Sequence, residues 1–103
     1  MKMAVEEQIQ RTAILRPQER LDAFSAPKMR AELDRLWDSG VTNYVIDLSE
    51  MPFMDSAGMA VLVSLLRRCR QSGGSVKLVA PKYEPVRRTL HLTQFDRIFE
   101  FVQ

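Results

Sequence analysis

The sequence has few of the features that mark secreted, membrane-spanning or metal-binding proteins. Its one cysteine, Cys69, rules out an internal disulfide framework and fits a reducing compartment. No apolar run approaches the roughly 18 uninterrupted residues that a membrane-spanning helix needs. Residues 1–11 include Glu6 and Glu7 and lack the apolar centre of a secretory signal. These absences predict a cytoplasmic protein.

An excess of charge of one sign is also lacking. The sequence has 15 Lys+Arg against 13 Asp+Glu, a formal net charge of +2, whereas nucleic-acid binding usually requires a concentrated basic face. The cluster of Arg67, Arg68 and Arg70 is typical of a solvated helix surface. No cysteine, histidine or carboxylate spacing matches a metal-ligand pattern. We therefore expect no direct nucleic-acid partner, no membrane contact, no metal and no cofactor.

Short strand and helix patterns, separated by prolines and glycines, run through the whole chain. Runs of β-prone residues predict strands at residues 8–16, 20–24, 44–48, 75–80 and 98–102. Three helical patterns lie between them. The order, ββαβαβα and a final strand, implies parallel pairing through right-handed crossovers. The sequence thus predicts one α/β domain over residues 1–103, a mixed β-sheet packed with α-helices.

The helix boundaries have recognisable signals. For the first helix, Ser25 is a suitable N-cap, Pro27 fits the first turn, and Gly40 suits the position after the last turn. Pro85 opens the third helix. The apolar stripe predicted for the first helix is Met29, Leu33, Leu36 and Trp37, and that of the third is Val86 and Leu90.

The second helix, predicted at residues 56–71 and ended by Gly73, follows an almost wholly apolar strand at residues 44–48. A strand without alternation is typical of one that is buried on both faces in the centre of a sheet. The predicted core face of the helix is Met59, Val61, Leu62, Leu65, Leu66 and Cys69.

The junction before the second helix reads Asp55-Ser56-Ala57-Gly58. A helix start exposes amide hydrogens and partial positive charge, so Asp55 or Ser56 can cap it and a phosphate on Ser56 would be tolerated. The small Ala57 and Gly58 would let a partner approach the hydroxyl closely. Just before the junction, Met54 or Phe53 could be an exposed anchor, with core packing the better role for Phe53. On the residues alone, a simple helix cap explains the junction more economically than a functional site.

A family resemblance favours the functional interpretation. The Asp47-Leu48-Ser49 segment, followed by Phe53-Met54-Asp55-Ser56-Ala57-Gly58-Met59, resembles the signature of the anti-sigma factor antagonist family, the bacterial STAS domains. The likeness extends to residues 20–23, 73–79, 86–90 and 95–99, and so over about residues 8–102. It implies a STAS-like fold for the single domain.

The resemblance also implies a function. Ser56 would be phosphorylated by a partner that is both a GHKL-type ATPase serine kinase and an anti-sigma factor, and a PP2C-type phosphatase would reverse the modification. The unphosphorylated protein would bind the anti-sigma factor and release the sigma factor, and phosphorylation would break that complex. The residues that the resemblance places at the partner surface are Asp22, Met54, Asp55, Ser56, Ala57, Gly58 and Met59.

Three other functions compete with this one. Ser56 as a catalytic nucleophile would need a base, and the only histidine, His91, comes without a G-x-S-x-G elbow at Ser56, so we expect no enzyme. Asp47 ends a strand as a receiver phosphoacceptor would, but no acidic pair after the first strand is present to hold magnesium. The third alternative keeps the STAS fold in another assembly, such as a lipid-transport complex or a stressosome-like regulator outside the sigma pathway. The lack of an appended domain favours a free-standing antagonist.

Overall fold

A mixed β-sheet organises the computed structural model, which describes residues 1–8 and 11–102. Within those residues the strands are β1 (Met3–Gln8), β2 (Thr12–Pro17), β3 (Asn43–Asp47), β4 (Ser75–Val79) and β5 (Glu100–Val102). They lie side by side in sequence order, with β1 antiparallel to β2 and every later pair parallel. The helices are α1 (Ala26–Asp38), α2 (Ser56–Ser72) and α3 (Glu84–Leu92), and a short 3₁₀ helix spans Phe95–Arg97. The predicted α/β class and element order are confirmed.

The helices cover one face of this sheet. Strands that follow one another in sequence are also neighbours in the sheet, so crossovers of one hand place their helices on one side. Burial alternates accordingly along β2, β3 and β4. In β3, Tyr44 and Ile46 are buried, whereas Val45 and Asp47 are half-buried. The central position of this strand is confirmed, but burial on both faces is not, because none of the described helices covers the second face.

The N-terminal strands differ from the prediction. The strand predicted at residues 8–16 joins the end of β1 to most of β2, and Ile9 and Gln10 within it lie outside the described residues. Most of β1 lies outside the predicted strands, because its polar composition hides an alternation in which Met3 and Val5 pack towards the core. Pairing with β2 over six residue pairs stabilises it. A polar edge strand of this kind depends on its neighbour more than on its own residues.

The predicted strand at residues 20–24 is wrong. Of these residues, Leu21 forms an isolated parallel bridge with Met54, and the chain then turns into α1. The turn has a local cause, because the Oδ1 of Asp22 accepts hydrogen bonds from the backbone amides of Phe24 and Ser25, at 3.0 and 3.1 Å. Aspartate competes in this way with strand pairing.

The helices agree well with the prediction. Ser25 precedes α1, although its hydroxyl donates to the Arg20 carbonyl at 2.8 Å instead of capping the helix. Gly40 and Gly73 follow α1 and α2 with φ of +97° and +80°, the left-handed conformation expected after a helix. The predicted core residues of α2 are all buried, and burial raises the pKa of the Cys69 thiol to about 11.

Nowhere in residues 1–8 and 11–102 is a helix both long and apolar enough to cross a membrane.

The C-terminal elements follow the prediction with shorter bounds. Val86 and Leu90 are the buried residues of α3, as expected. The final strand is β5 (Glu100–Val102) instead of residues 98–102, because the 3₁₀ helix at Phe95–Arg97 and the turn after it occupy the preceding positions.

The loops before α1, α2 and α3 all follow the carboxyl ends of parallel strands, so they meet at one end of the sheet, where ligands of α/β proteins usually bind.

Candidate functional site at the start of helix α2

Asp55 is the residue that caps α2. Its backbone is extended, and its Oδ1 accepts hydrogen bonds from the amides of Ala57 and Gly58, at 2.9 and 3.1 Å. Its second oxygen, Oδ2, accepts a hydrogen bond from the amide of Ala23 at 3.3 Å. One carboxylate therefore satisfies the start of the helix and also holds the loop that precedes α1.

Ser56 is the first residue of α2, and its side chain faces solvent. Because Asp55 already accepts the free amides, the Ser56 hydroxyl is not needed as a cap. Among the described residues this hydroxyl has no hydrogen-bond partner. The structure thus separates two side chains that the sequence could not: Asp55, which caps the helix, and Ser56, whose hydroxyl takes no part in the cap.

The loop of residues 21–25, which we call the Asp22 loop, packs directly against this helix start. The Leu21 amide donates to the Phe53 carbonyl at 2.9 Å, and the Asp55 amide donates to the Leu21 carbonyl at 3.2 Å. These two bonds form the parallel bridge between Leu21 and Met54. The expectation that Asp22 lies on the same face as Asp55 agrees with this arrangement.

Asp22 is held in its charged form. The hydrogen bond from the Ser25 amide lowers the pKa of the Asp22 carboxyl, and the Phe24 amide and the Arg20 guanidinium add to the effect. Arg20 contacts Asp22 at 3.0 Å and also lies over the Phe53 ring, 4.7 Å from its centroid. The surface beside Ser56 therefore carries an ionised carboxylate on a loop with many internal hydrogen bonds.

Gly58 is required by the protein's own packing. A Cβ at this position would lie 2.3 Å from the Leu21 carbonyl oxygen and 2.8 Å from the Leu21 Cγ. The first turn of α2 thus passes too close to the Asp22 loop for any side chain. The sequence interpretation, which attributed the small residue to the approach of a partner, missed this internal cause, because the contact joins residues far apart in the chain.

The structure distributes the predicted partner residues between surface and core. Ser56 is exposed, whereas Asp22, Asp55 and Ala57 are half-buried. Buried members of the predicted set are Met54 (1% exposed), Met59 (3% exposed) and Gly58. Phe53 is half-buried under Arg20. A partner that meets this surface would touch the exposed and half-buried residues, while the buried residues pack beneath them.

An apolar groove opens beside Ser56, between α2, α3 and the 3₁₀ helix. Its volume is about 330 Å³. The Thr89 hydroxyl at its wall lies 3.2 Å from the Met54 carbonyl oxygen and 3.0 Å from that of Pro85, so its single hydrogen has an acceptor within the protein. Sequence analysis missed this groove, because its walls come from separate elements. It is lined by Ser56, Met59, Ala60, Val63, Thr89, Thr93 and Phe95.

The residues of the rejected functions lie elsewhere. His91 pairs with Asp96 at 3.3 Å and lines a different cavity from Ser56. Asp47 accepts a hydrogen bond from the Ser49 amide at 2.9 Å and approaches Arg16 at 4.0 Å. In the part of the chain that the structure describes, no three His, Cys, Asp or Glu side chains come together as a metal-ligand set.

The double role of Asp55 leads to a first prediction. Asp55→Ala removes the acceptor for two helix amides and one loop amide, and we expect it to lower the free energy of unfolding by about 1–2 kcal/mol. Asp55→Asn keeps one carbonyl acceptor and should lose less. Urea unfolding followed by circular dichroism measures both changes. An alanine variant as stable as the wild type would contradict the assigned role of Asp55.

Comparisons of the sequence with known proteins find similar chains. The family model for the STAS domain matches residues 3–103. A Thermotoga maritima protein assigned as an anti-sigma factor antagonist is 34% identical over 86 residues, which cover 82% of this chain and 75% of that protein. The anti-sigma-B factor antagonist of Bacillus subtilis is 36% identical over 58 residues, 56% of this chain and 52% of that protein.

Solved structures show the same fold. The crystal structure of an assigned anti-sigma factor antagonist from Thermotoga maritima superposes with a TM-score of 0.88 at 27% identity, covering 98% of this chain and 86% of that chain. The phosphorylated form of SpoIIAA, a Bacillus cell fate determinant, superposes with a TM-score of 0.76 at 18% identity, covering 99% and 92%.

Proposed function

The chain belongs to the STAS domain family, and from that premise we propose that it is an anti-sigma factor antagonist switched by phosphorylation of Ser56. The observation that carries the proposal is the Ser56 hydroxyl, which is exposed and has no hydrogen-bond partner among the described residues. It stands on a helix start that Asp55 keeps ordered. The relatives that are anti-sigma factor antagonists support the general role.

The partner that we propose is an anti-sigma factor that is also a GHKL-type ATPase serine kinase. A PP2C-type phosphatase removes the phosphate that this kinase adds. The unphosphorylated chain binds the anti-sigma factor and thereby releases the sigma factor. Its docking surface comprises Ser56, the half-buried Asp22, Asp55 and Ala57, and the apolar groove, above the buried Met54, Gly58 and Met59. Since sigma factors and their regulators work in the cytoplasm, the proposal places this chain there.

The charges around Ser56 explain how the switch works. A phosphate adds about −1.5 to −2 charges and a strongly hydrated group. The amides of Ala57 and Gly58 already bind Asp55, so the phosphate gains the modest attraction of the helix dipole but no hydrogen bond from these two amides. At the interface it is desolvated beside the carboxylate of Asp55. A hundredfold loss of affinity needs about 2.7 kcal/mol, and a buried, poorly paired charge readily costs that much.

The same geometry supports a role without catalysis. A serine nucleophile requires a base within hydrogen-bond reach of its hydroxyl. The imidazole of His91 lines the other cavity and contacts Asp96 instead. Ser56 is thus a substrate for its partner, and the chain acts by binding.

A phosphotransfer assay tests the proposal. The chain is incubated with ATP, Mg²⁺ and the serine kinase that co-purifies with it from its own cells, and the phosphate is located by mass spectrometry. We expect one phosphate on Ser56, absent in Ser56→Ala. Ser64→Ala is the matched control, because Ser64 is also an exposed serine of α2 and its loss should change nothing. Phosphate that persists in Ser56→Ala would contradict the proposal.

A further inference from the structure

We propose that Phe24 is the apolar anchor with which this chain binds its anti-sigma partner, an inference that rests on the proposed function. Phe24 is 85% exposed, more than the other large apolar side chains exposed in the described structure, Leu92 at 70%, Ile98 at 42% and Tyr83 at 40%. It lies in the Asp22 loop, which contacts the start of α2 through Ala23 and Asp55. Covering this exposed aromatic ring removes apolar surface from water, which stabilises the complex with a partner that docks there.

The backbone of Phe24 is fixed before any partner arrives. Its amide donates to the Asp22 Oδ1 at 3.0 Å, the amide before it donates to the Asp55 Oδ2 at 3.3 Å, and the residue after it, Ser25, is buried. An anchor on an ordered loop loses little conformational entropy on binding, so most of its burial energy contributes to affinity. Aromatic residues are enriched in interface centres for this reason.

The surroundings of the ring define the chemistry of the complementary site. At the base of the loop the Asp22 carboxylate pairs with Arg20 at 3.0 Å, and the Asp55 carboxylate accepts three backbone amides. The partner should therefore offer an apolar pocket for the ring, with polar side chains at its rim that complement the Arg20–Asp22 ion pair. The occupant is the protein that phosphorylates Ser56, because Asp55 connects the Asp22 loop to the start of α2 and one partner surface spans both.

Affinity and phosphorylation measurements test this anchor. The kinase that co-purifies with the wild-type chain is titrated with wild type, Phe24→Ala, Phe24→Leu and Ser56→Asp, and kcat/KM for Ser56 phosphorylation is measured for the first three. We expect Phe24→Ala to lower affinity and kcat/KM at least tenfold and Phe24→Leu to restore part of both. Ile98→Ala is the matched control. Ile98 is an exposed apolar residue whose carbonyl contacts Arg70 at 3.4 Å, near the opposite end of α2.

The outcomes separate this inference from the proposed function. If Phe24→Ala binds as tightly as the wild type while Ser56→Asp binds weakly, the anchor is wrong and the switch stands. If neither change weakens binding, both proposals fail. If Ile98→Ala weakens binding as much as Phe24→Ala, the effect is not specific to the anchor and the proposal is overturned. A wild-type dimer that disappears in Phe24→Ala, seen by analytical ultracentrifugation, would assign the ring to self-association instead.

Discussion

Replacing Ser56 with aspartate is expected to weaken binding of the anti-sigma partner about a hundredfold while leaving the fold intact. The new carboxylate would stand at an exposed position next to Asp55 and would have to be desolvated when a partner docks. A hundredfold change corresponds to about 2.7 kcal/mol, within the range for a poorly paired charge at an interface. An acid in the first turn of a helix is favourable by about 0.3–1 kcal/mol, so stability should not fall.

Isothermal titration of the purified partner measures this effect, and two variants control it. Ser56→Ala should bind like the wild type, because it adds no charge. Ser64→Asp adds the same charge eight residues further along α2, roughly 12 Å away along the axis, and should also bind like the wild type. An aspartate at position 56 without effect, or an equal loss at both positions, would show that the charge at Ser56 does not control docking.

The second large effect is expected for Gly58→Ala, which should lower the free energy of unfolding by about 1–2 kcal/mol. Alanine favours helices over glycine by about 1 kcal/mol, so helix propensity alone predicts the opposite sign. The steric term dominates, because the new Cβ would lie 2.3 Å from the Leu21 carbonyl oxygen. Leu21 cannot retreat cheaply, since its amide and carbonyl are bonded to Phe53 and Asp55. Overpacking of a close contact typically costs about 1–3 kcal/mol.

Urea unfolding measures the change, with Gly73→Asn as the control. Gly73 has a φ of +80° but has no neighbouring atom within 4 Å of an added Cβ. Asparagine tolerates that conformation, so the control should lose less than about 1 kcal/mol. The Gly58 variant should also displace the Asp22 loop and reduce partner binding. If Gly58→Ala were as stable as the wild type, the packing of the loop against α2 would be refuted.

The elements that the sequence predicts well are those with local causes. Helix α2 carries its apolar stripe, its cap and its terminating Gly73 within its own residues. The apolar run of strand β3 predicts the strand itself, but it does not predict that one face of the strand is only half-buried. Whether its second face is covered depends on where the crossover helices pack, which the strand's own residues do not encode.

The features that the sequence misses depend on contacts between distant residues. The residues 20–24 alternate like a strand, yet hydrogen bonds within the loop and from Asp55, which is 32 positions from Ala23, turn them into a loop. The requirement for Gly58 and the groove at Thr89 have the same origin. The sequence motif is therefore enough to predict Ser56 as the candidate residue, whereas the surface around Ser56 can be described only from the structure.

The most direct test compares the phosphorylated and unphosphorylated forms of this chain for binding to the same partner. Protein carrying phosphoserine at position 56 alone is titrated with the anti-sigma partner beside unmodified protein, and circular dichroism verifies that both are folded. The account predicts that the phosphorylated form binds at least a hundredfold more weakly. Equal affinity of the two forms would contradict it.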